Sequence, residues 1–380
     1  MKRKLFPFFA GLFLVILFGG WGNVGHKIIN RTTVQAFPKE MKQFVVWKDS
    51  LEKHASDPDY RKGSDPTEGY KHYIDIDNFA GFINKGRIPE TLDSLIAQYG
   101  SSFVEDQGIL PYAILNTLEN LTNAFKKKDW QLAIILASDL GHYVGDSHMP
   151  LHITANYDGQ LSGQSGIHSR YESTMIGKFS SEIVFVPDTA EYIADTRRFV
   201  FDMIYKNYEY VDSLLYADSL AKKLAGGSTS SNTYYTNLWN QTKGFTNVLF
   251  KKATEKLAVL IYTAWVDAGR PDLATATEFF PVNKDMGVRL YDCYPNPYNP
   301  TTKIRFIIPE NINTDGVSTV AVNVYSLDGS KVATLLDEQK TSGYYETEFD
   351  SSQYGCSSGV YIVQLSVNSK NYTKKMLLMK

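Results

Sequence analysis

Apolar residues recur along this chain in two rhythms, and the change falls near residue 271. Before it, they return at the three- and four-residue spacing of a helix face. Residues 130–146 form one such segment, and residues 251–264 repeat Leu257, Leu260, Ile261 and Ala264 before Gly269 and Pro271 end the pattern. The stretch GGSTSSN at 226–232 predicts a flexible loop between two further helical segments. Beyond Pro271 apolar positions alternate: Ile304 and Phe306, then Val320, Val322 and Val324, with a turn at Asp328-Gly329 between strand-like runs. Residues 344–349, 360–365 and 372–378 read as further strands. The pattern predicts a mainly α domain followed by a small all-β, immunoglobulin-like sandwich. The abundant aromatic residues of the first part read as core fill for its helices.

The N-terminal end has a grammar of its own. Lys2, Arg3 and Lys4 precede an apolar run over residues 5–18, which has the charge asymmetry and length of a secretory leader rather than of a membrane-spanning helix. No later apolar stretch is long enough to span a bilayer, so a soluble mature chain outside the cytoplasm is expected. The expected organisation is a leader at 1–20, a helical domain at 21–275, a linker at 276–289 and the sandwich at 290–380. Net charge is −2, and −5 once the three leader cations are set aside, so no basic surface suited to a long duplex is expected. Both cysteines, Cys293 and Cys356, fall in the sandwich; two cysteines make no disulfide framework, and whether they pair is left open.

Five of the seven histidines are spaced as metal ligands: His26 in WGNVGH, His72 in KHYID, His142 and His152 in GHYVGDSHMPLH, and His168 in GIHSRYE. Carboxylates accompany them at helical spacing. Asp146 follows His142 by four residues on an apolar segment, so both project from one helix face, and Glu172 follows His168 by four, at helical or loop reach. Imidazole and carboxylate together suit a borderline cation such as zinc. No histidine lies after residue 168, which puts the chemistry in the first half. His54 and His148 stand outside the pattern and read as ordinary polar residues.

The order and spelling of these motifs, with an aspartate in ASDPDYR and a closing TAWVDAGRP, resemble the superfamily joining fungal and plant single-strand-specific zinc nucleases of the S-one/P-one type with bacterial zinc-dependent phospholipases C. The resemblance runs from Trp21 to about Pro271. It implies three zinc ions at the bottom of a cleft. Asp59, His72, His142 and Asp146 would hold one, and His152, His168 and Glu172 a second. His26, a bridging Asp146, and the amino nitrogen and carbonyl oxygen of Trp21 would hold the third, which requires a leader cut before Trp21. Asp57 competes with Asp59 for its role. Asp75 matches an acid beside the attacking water, with partnership to a ligand histidine as its alternative. Tyr73 stands where nucleases offer a ring to stack a base.

The marks of the two branches are mixed. The spacing from Trp21 to His26 is nuclease-like, whereas Glu172 and the preceding HITANYDGQ are phospholipase-like, and Ala80 stands where a nuclease lysine is common. The expected function is a secreted zinc-dependent phosphodiester hydrolase, first a nuclease on single-stranded DNA or RNA. A phospholipase C acting on phospholipid head groups is the alternative, and a non-catalytic surface binding protein on the same scaffold a further one.

The C-terminal part resembles the type IX secretion sorting domain of bacterial surface and secreted proteins. YPNPYNPTTKIRF opens it, VYSLDGSKVATL and SSGVYIVQL follow, and KKMLLMK closes the chain. The resemblance implies recognition by the type IX secretion machinery, followed by removal of the domain or surface anchoring. An ordinary carbohydrate-binding or stalk sandwich is its alternative.

Overall fold

The computed structural model describes residues 22–273, 287–291, 293, 296–309, 317–341 and 343–380. The expected leader, Trp21 and most of the expected linker lie outside these. The chain divides into two compact units with the boundary at Arg270 and Pro271.

The first unit is helical, and three long helices form its frame: Leu110–Lys126, Trp130–Ser147 and Asn232–Asp267, which pack against one another. Leu110–Lys126 starts with Pro111 in its first turn, where a missing N–H costs nothing, and buries Ile114, Leu118, Leu121 and Phe125 along one face. Trp130–Ser147 is capped by Asp129, whose carboxylate accepts the Leu132 amide at 3.1 Å. Every residue from Ala137 to Ser147 is buried, so this half of the helix is surrounded by protein and its polar side chains need partners. Asn232–Asp267 is a single helix of 36 residues capped by Ser231; it joins the expected segment at 251–264 to the one before it. Phe44, Trp47, Phe125 and Trp130 pack mostly edge to face, in agreement with the aromatic residues being core fill.

Two glycines decide how closely the first helix, Gly22–Thr32, approaches this frame. A Cβ on Gly141 would lie 2.3 Å from Asn30 Oδ1, and one on Gly145 would lie 2.8 Å from His26 Nδ1. Only glycine at both positions lets His26 reach the buried end of helix Trp130–Ser147.

The second unit is the expected sandwich. Its strands are β1 (Arg289–Leu290), β2 (Thr301–Ile308), β3 (Val317–Ser326), β4 (Lys331–Thr341), β5 (Gly343–Asp350), β6 (Gly359–Val367) and β7 (Lys370–Leu378). They form a sheet of order β1-β2-β5 and a sheet of order β4-β3-β6-β7, with every described pairing of strands antiparallel. Inward residues, among them Ile304, Phe306, Val320, Val322, Val324, Val363 and Leu365, make one core. Cys293 and Cys356 are both buried there as thiols. Among the described residues no helix is long and apolar enough to cross a membrane.

Candidate metal centre

The expected ligands come from six separate elements. His26 lies on helix Gly22–Thr32, Asp59 on the short helix Asp57–Arg61, and His72 directly after the turn Gly69–Lys71. His142 and Asp146 share the buried end of Trp130–Ser147. His152 closes the turn Pro150–His152, and His168 with Glu172 spans a helix start that widens into a π-turn at Arg170–Met175. All are buried except Asp59, which is half-buried.

Their donor atoms converge in three groups: His26 with His142 and Asp146; Asp59 with His72 and His142; His152 with His168 and Glu172. Within each, the atoms lie no more than 4.8 Å apart. In the middle group His72 Nδ1 is 3.0 Å from His142 Nε2 and from Asp146 Oδ2, and 3.6 Å from Asp59 Oδ1; His142 Nε2 is 3.6 Å from Asp59 Oδ1 and 3.4 Å from Asp146 Oδ2. Bonds of about 2.0 Å in a tetrahedron separate ligands by about 3.3 Å, and these five separations are close to that value. Glu172 Oε2 lies 3.3 Å from His152 Nε2 and 3.2 Å from His168 Nε2. Asp146 faces two ways. Oδ2 faces His72 and His142 of the middle group, and Oδ1 lies 3.4 Å from His26 Nε2 and 3.7 Å from His152 Nδ1.

Backbone carbonyls set the rings. Nδ1 of His142 donates to Ala55 O at 2.8 Å, that of His152 to His72 O at 2.7 Å, and that of His168 to Tyr157 O at 2.9 Å. A carbonyl can only accept, so each Nδ1 carries a proton and Nε2 is the nitrogen turned to the centre, its lone pair open to a cation when the ring is neutral. The Ile74 amide donates in turn to His152 O at 2.8 Å, zipping the His72 and His152 segments together.

Charge balance favours carboxylates in the ionised form. Burial would raise Asp146 and Asp59, but His142 and the other imidazoles outweigh it and hold both carboxyls well below their ordinary range; Glu172 is lowered the same way by His168 and His152. His152 moves up to about 9, since Asp146 and Glu172 overcome the effect of burial, whereas burial and the neighbouring His142 lower His26. One test of fit is decisive. Neither ring nitrogen of the fully buried His26 makes a hydrogen bond, and neither does Asp146 Oδ1. Polar atoms buried without partners are costly, and a divalent cation of zinc's preference would satisfy His26 Nε2 and Asp146 Oδ1 together. The donors fit such an ion.

The remaining candidates are also accounted for. Asp57 Oδ2 is 2.6 Å from His54 Nδ1, which engages both residues with each other and leaves Asp59 as the carboxylate at the centre. His148 donates to Val144 O at 2.8 Å and burial pushes it down to about 3, as suits a neutral core histidine. Asp75 is pushed up to about 7 by burial, with Asp77 adding and His152 opposing. The Tyr73 hydroxyl donates to Asp106 O at 3.3 Å, and burial raises it to about 12. Trp21 lies outside the described residues.

Three polar residues beside the centre were not singled out by the sequence. Glu68 Oε1 lies 3.4 Å from His72 Nε2; Lys62 Nζ is 2.7 Å from Asp59 Oδ1; Asp77 accepts from Thr154 Oγ1 and the Ala155 amide, each at 2.7 Å, tying down the segment after His152. The spacings of Lys62, three residues after Asp59, and of Glu68, four before His72, carried a hint.

Comparison with known proteins bears on the two units unequally. Residues 292–379 match the family model described as "Secretion system C-terminal sorting domain", which bears out the expected type IX sorting domain. The chain is therefore directed to secretion and cell-surface attachment. No curated protein matches the sequence. Among solved structures the chain is similar to the alpha toxin from Clostridium absonum, with a TM-score of 0.42, 12% identity, and coverage of 94% of this chain and 96% of the toxin. The Clostridium perfringens alpha-toxin isolated from an avian strain gives a TM-score of 0.42, 11% identity, and coverage of 94% and 99%. At these values the functional reading rests on the residues themselves.

Proposed function

We propose that the helical domain is a zinc-dependent phosphodiester hydrolase displayed or released by the secretion route its sorting domain serves, with a phospholipid head group as the favoured substrate. The observation that carries the reading is the position of Asp146, whose two oxygens face separate donor groups, an arrangement suited to ions held a few ångströms apart. Asp59, His72, His142 and Asp146 would hold one ion, His152, His168 and Glu172 another, and His26 with Asp146 and the terminus at Trp21 a third. When bound, the ions would supply positive charge against the phosphoryl oxygens and activate water as the nucleophile.

The chain's own residues supply the rest. Asp75, raised to about 7, can change protonation near neutrality and so take a proton from water at the rim. Lys62, held beside Asp59, adds a fixed cation at the edge of the middle group. The carbonyl-anchored rings keep His142, His152 and His168 from turning, so the ligands need little reorganisation.

Glu172 in place of the aspartate usual in nucleases, and Ala80 in place of a lysine, favour a phosphorylated head group over a nucleotide. Nuclease activity on single strands is the second reading, and Tyr73 supports it: its ring is half-buried directly after His72. Zinc-loaded full-length protein assayed side by side on phosphatidylcholine vesicles, single-stranded DNA and RNA separates them. Head-group release is expected to exceed strand cleavage. The reverse order would move the assignment to the nuclease, and no hydrolysis of any substrate would leave a binding scaffold.

A further inference from the structure

His72 is oriented differently from the other histidines of the centre. His142, His152 and His168 place Nε2 inward and spend Nδ1 on a neutral carbonyl, whereas His72 places Nδ1 inward and turns Nε2 to the Glu68 carboxylate, 3.4 Å away. That distance is long for a hydrogen bond, so the carboxylate acts on the ring mainly through its charge. Glu68 is itself 1% exposed and closely held. The Tyr143 hydroxyl donates to Oε1, Lys71 Nζ lies 3.0 Å from Oε2, and Arg61 Nε lies 3.4 Å from the same oxygen while its other nitrogens grip Asp139 at 3.1 and 2.9 Å. Lys71 and Arg61 thus set two cations against the buried carboxylate.

A negative charge behind an imidazole raises the basicity of the ring nitrogen on the opposite side and fixes the ring's orientation. Here the cations flanking Oε2 leave Oε1 facing His72, so the carboxylate is aimed at one ring rather than shared among several. We propose that Glu68 is a positioning residue that sets the cation affinity of the four-donor group of Asp59, His72, His142 and Asp146, leaving the group of His152, His168 and Glu172 unaffected. This rests on the metal centre proposed above.

The test compares full-length wild type with Glu68→Gln, which keeps size and removes the charge. Zinc affinities are measured by competition with a chromophoric chelator, and cobalt is substituted for zinc so that the visible absorption of each group can be followed. Wild type that binds no zinc would refute the metal centre itself. If it does bind, Glu68→Gln should hold one ion roughly 10- to 100-fold more weakly, with the cobalt band of that ion shifted and the others unchanged. Equal affinities and an unchanged spectrum would overturn the inference. Should Glu68→Gln fail to fold by circular dichroism, Lys71→Met provides the reading. It leaves the carboxylate and removes a competing cation, so the same ion should be held at least as tightly as in wild type, and looser binding would overturn the proposal.

Discussion

Arg170, which stands between the proposed ligands His168 and Glu172 in the sequence, forms an ion pair with the fully buried Asp218 at 3.1 Å. Asp218 also accepts from the Tyr234 hydroxyl and from Gln164 Nε2 at 2.8 Å, and Arg170 donates to Ser165 O and Gln164 O. The cluster fastens the ligand-bearing π-turn to helices Val211–Leu224 and Asn232–Asp267. Asp218→Ala leaves a largely buried guanidinium without its carboxylate, and unfolding free energy should fall by about 3–5 kcal/mol. Chemical denaturation measures the loss; an unchanged midpoint would contradict the role of the pair.

Asp146→Asn should empty or displace the ions on both sides of the carboxylate. Zinc content by mass spectrometry and hydrolysis rate are expected to drop together, the rate by roughly a hundredfold or more. A variant that retains its full zinc complement and near-normal turnover would rule out a bridging Asp146.

The raised carboxyl of Asp75 makes two pH effects run in opposite senses. Its ionisation value in the folded protein, about 7, exceeds the ordinary value, so the stability it contributes is complete below about pH 4 and is lost as pH rises through 7. Proton acceptance needs the ionised form, so activity should climb over the interval in which that stability is lost. Carboxyl NMR of metal-free protein should place the titration near neutrality. Asp75→Asn should keep its zinc while losing roughly 10²- to 10⁴-fold in rate; near wild-type turnover would reduce Asp75 to a structural neighbour.

Gly145→Ala tests the approach of the first helix. The added methyl would meet His26 Nδ1 at 2.8 Å and force the ring or its helix outward, at a cost of about 1–3 kcal/mol. Zinc analysis should find one ion lost, that of His26, with the group of His152, His168 and Glu172 still occupied. Full occupancy would mean that His26 is not needed as a ligand.

Much of the donor cluster was legible because its members fall in pairs four residues apart: His142 with Asp146 declares a helix face, and His168 with Glu172 repeats the interval, without reference to the rest of the chain. The contacts that hold those pairs were not, since Arg170 meets Asp218 across 48 residues and Tyr143 meets Glu68 across 75. Helix–helix approach was hidden for a related reason. Gly141 and Gly145 look like weak points of a helix until Asn30 and His26 are seen against them. Between residues 80 and 108 the chain breaks into short helices ended by Gly86, Gly100 and Gly108, all at positive φ, and such pieces are too brief to establish a period. In the sandwich, β4 was only half visible. It lies at the edge of its sheet, where polar DEQKT can face water, and alternation is lost.

The link from His152 to the backbone around His72 has a consequence for how such a centre can change. His152 donates to His72 O while Ile74 donates to His152 O, so two ligand sets share one short piece of peptide ladder. That ladder is a ruler whose graduations are bond lengths, indifferent to side-chain identity. Substituting a ligand changes which positions are filled, but the interval between them is inherited from the main chain. New substrate preference must then arise at the rim, around residues such as Tyr73 and the exposed Tyr157, where the ruler does not reach.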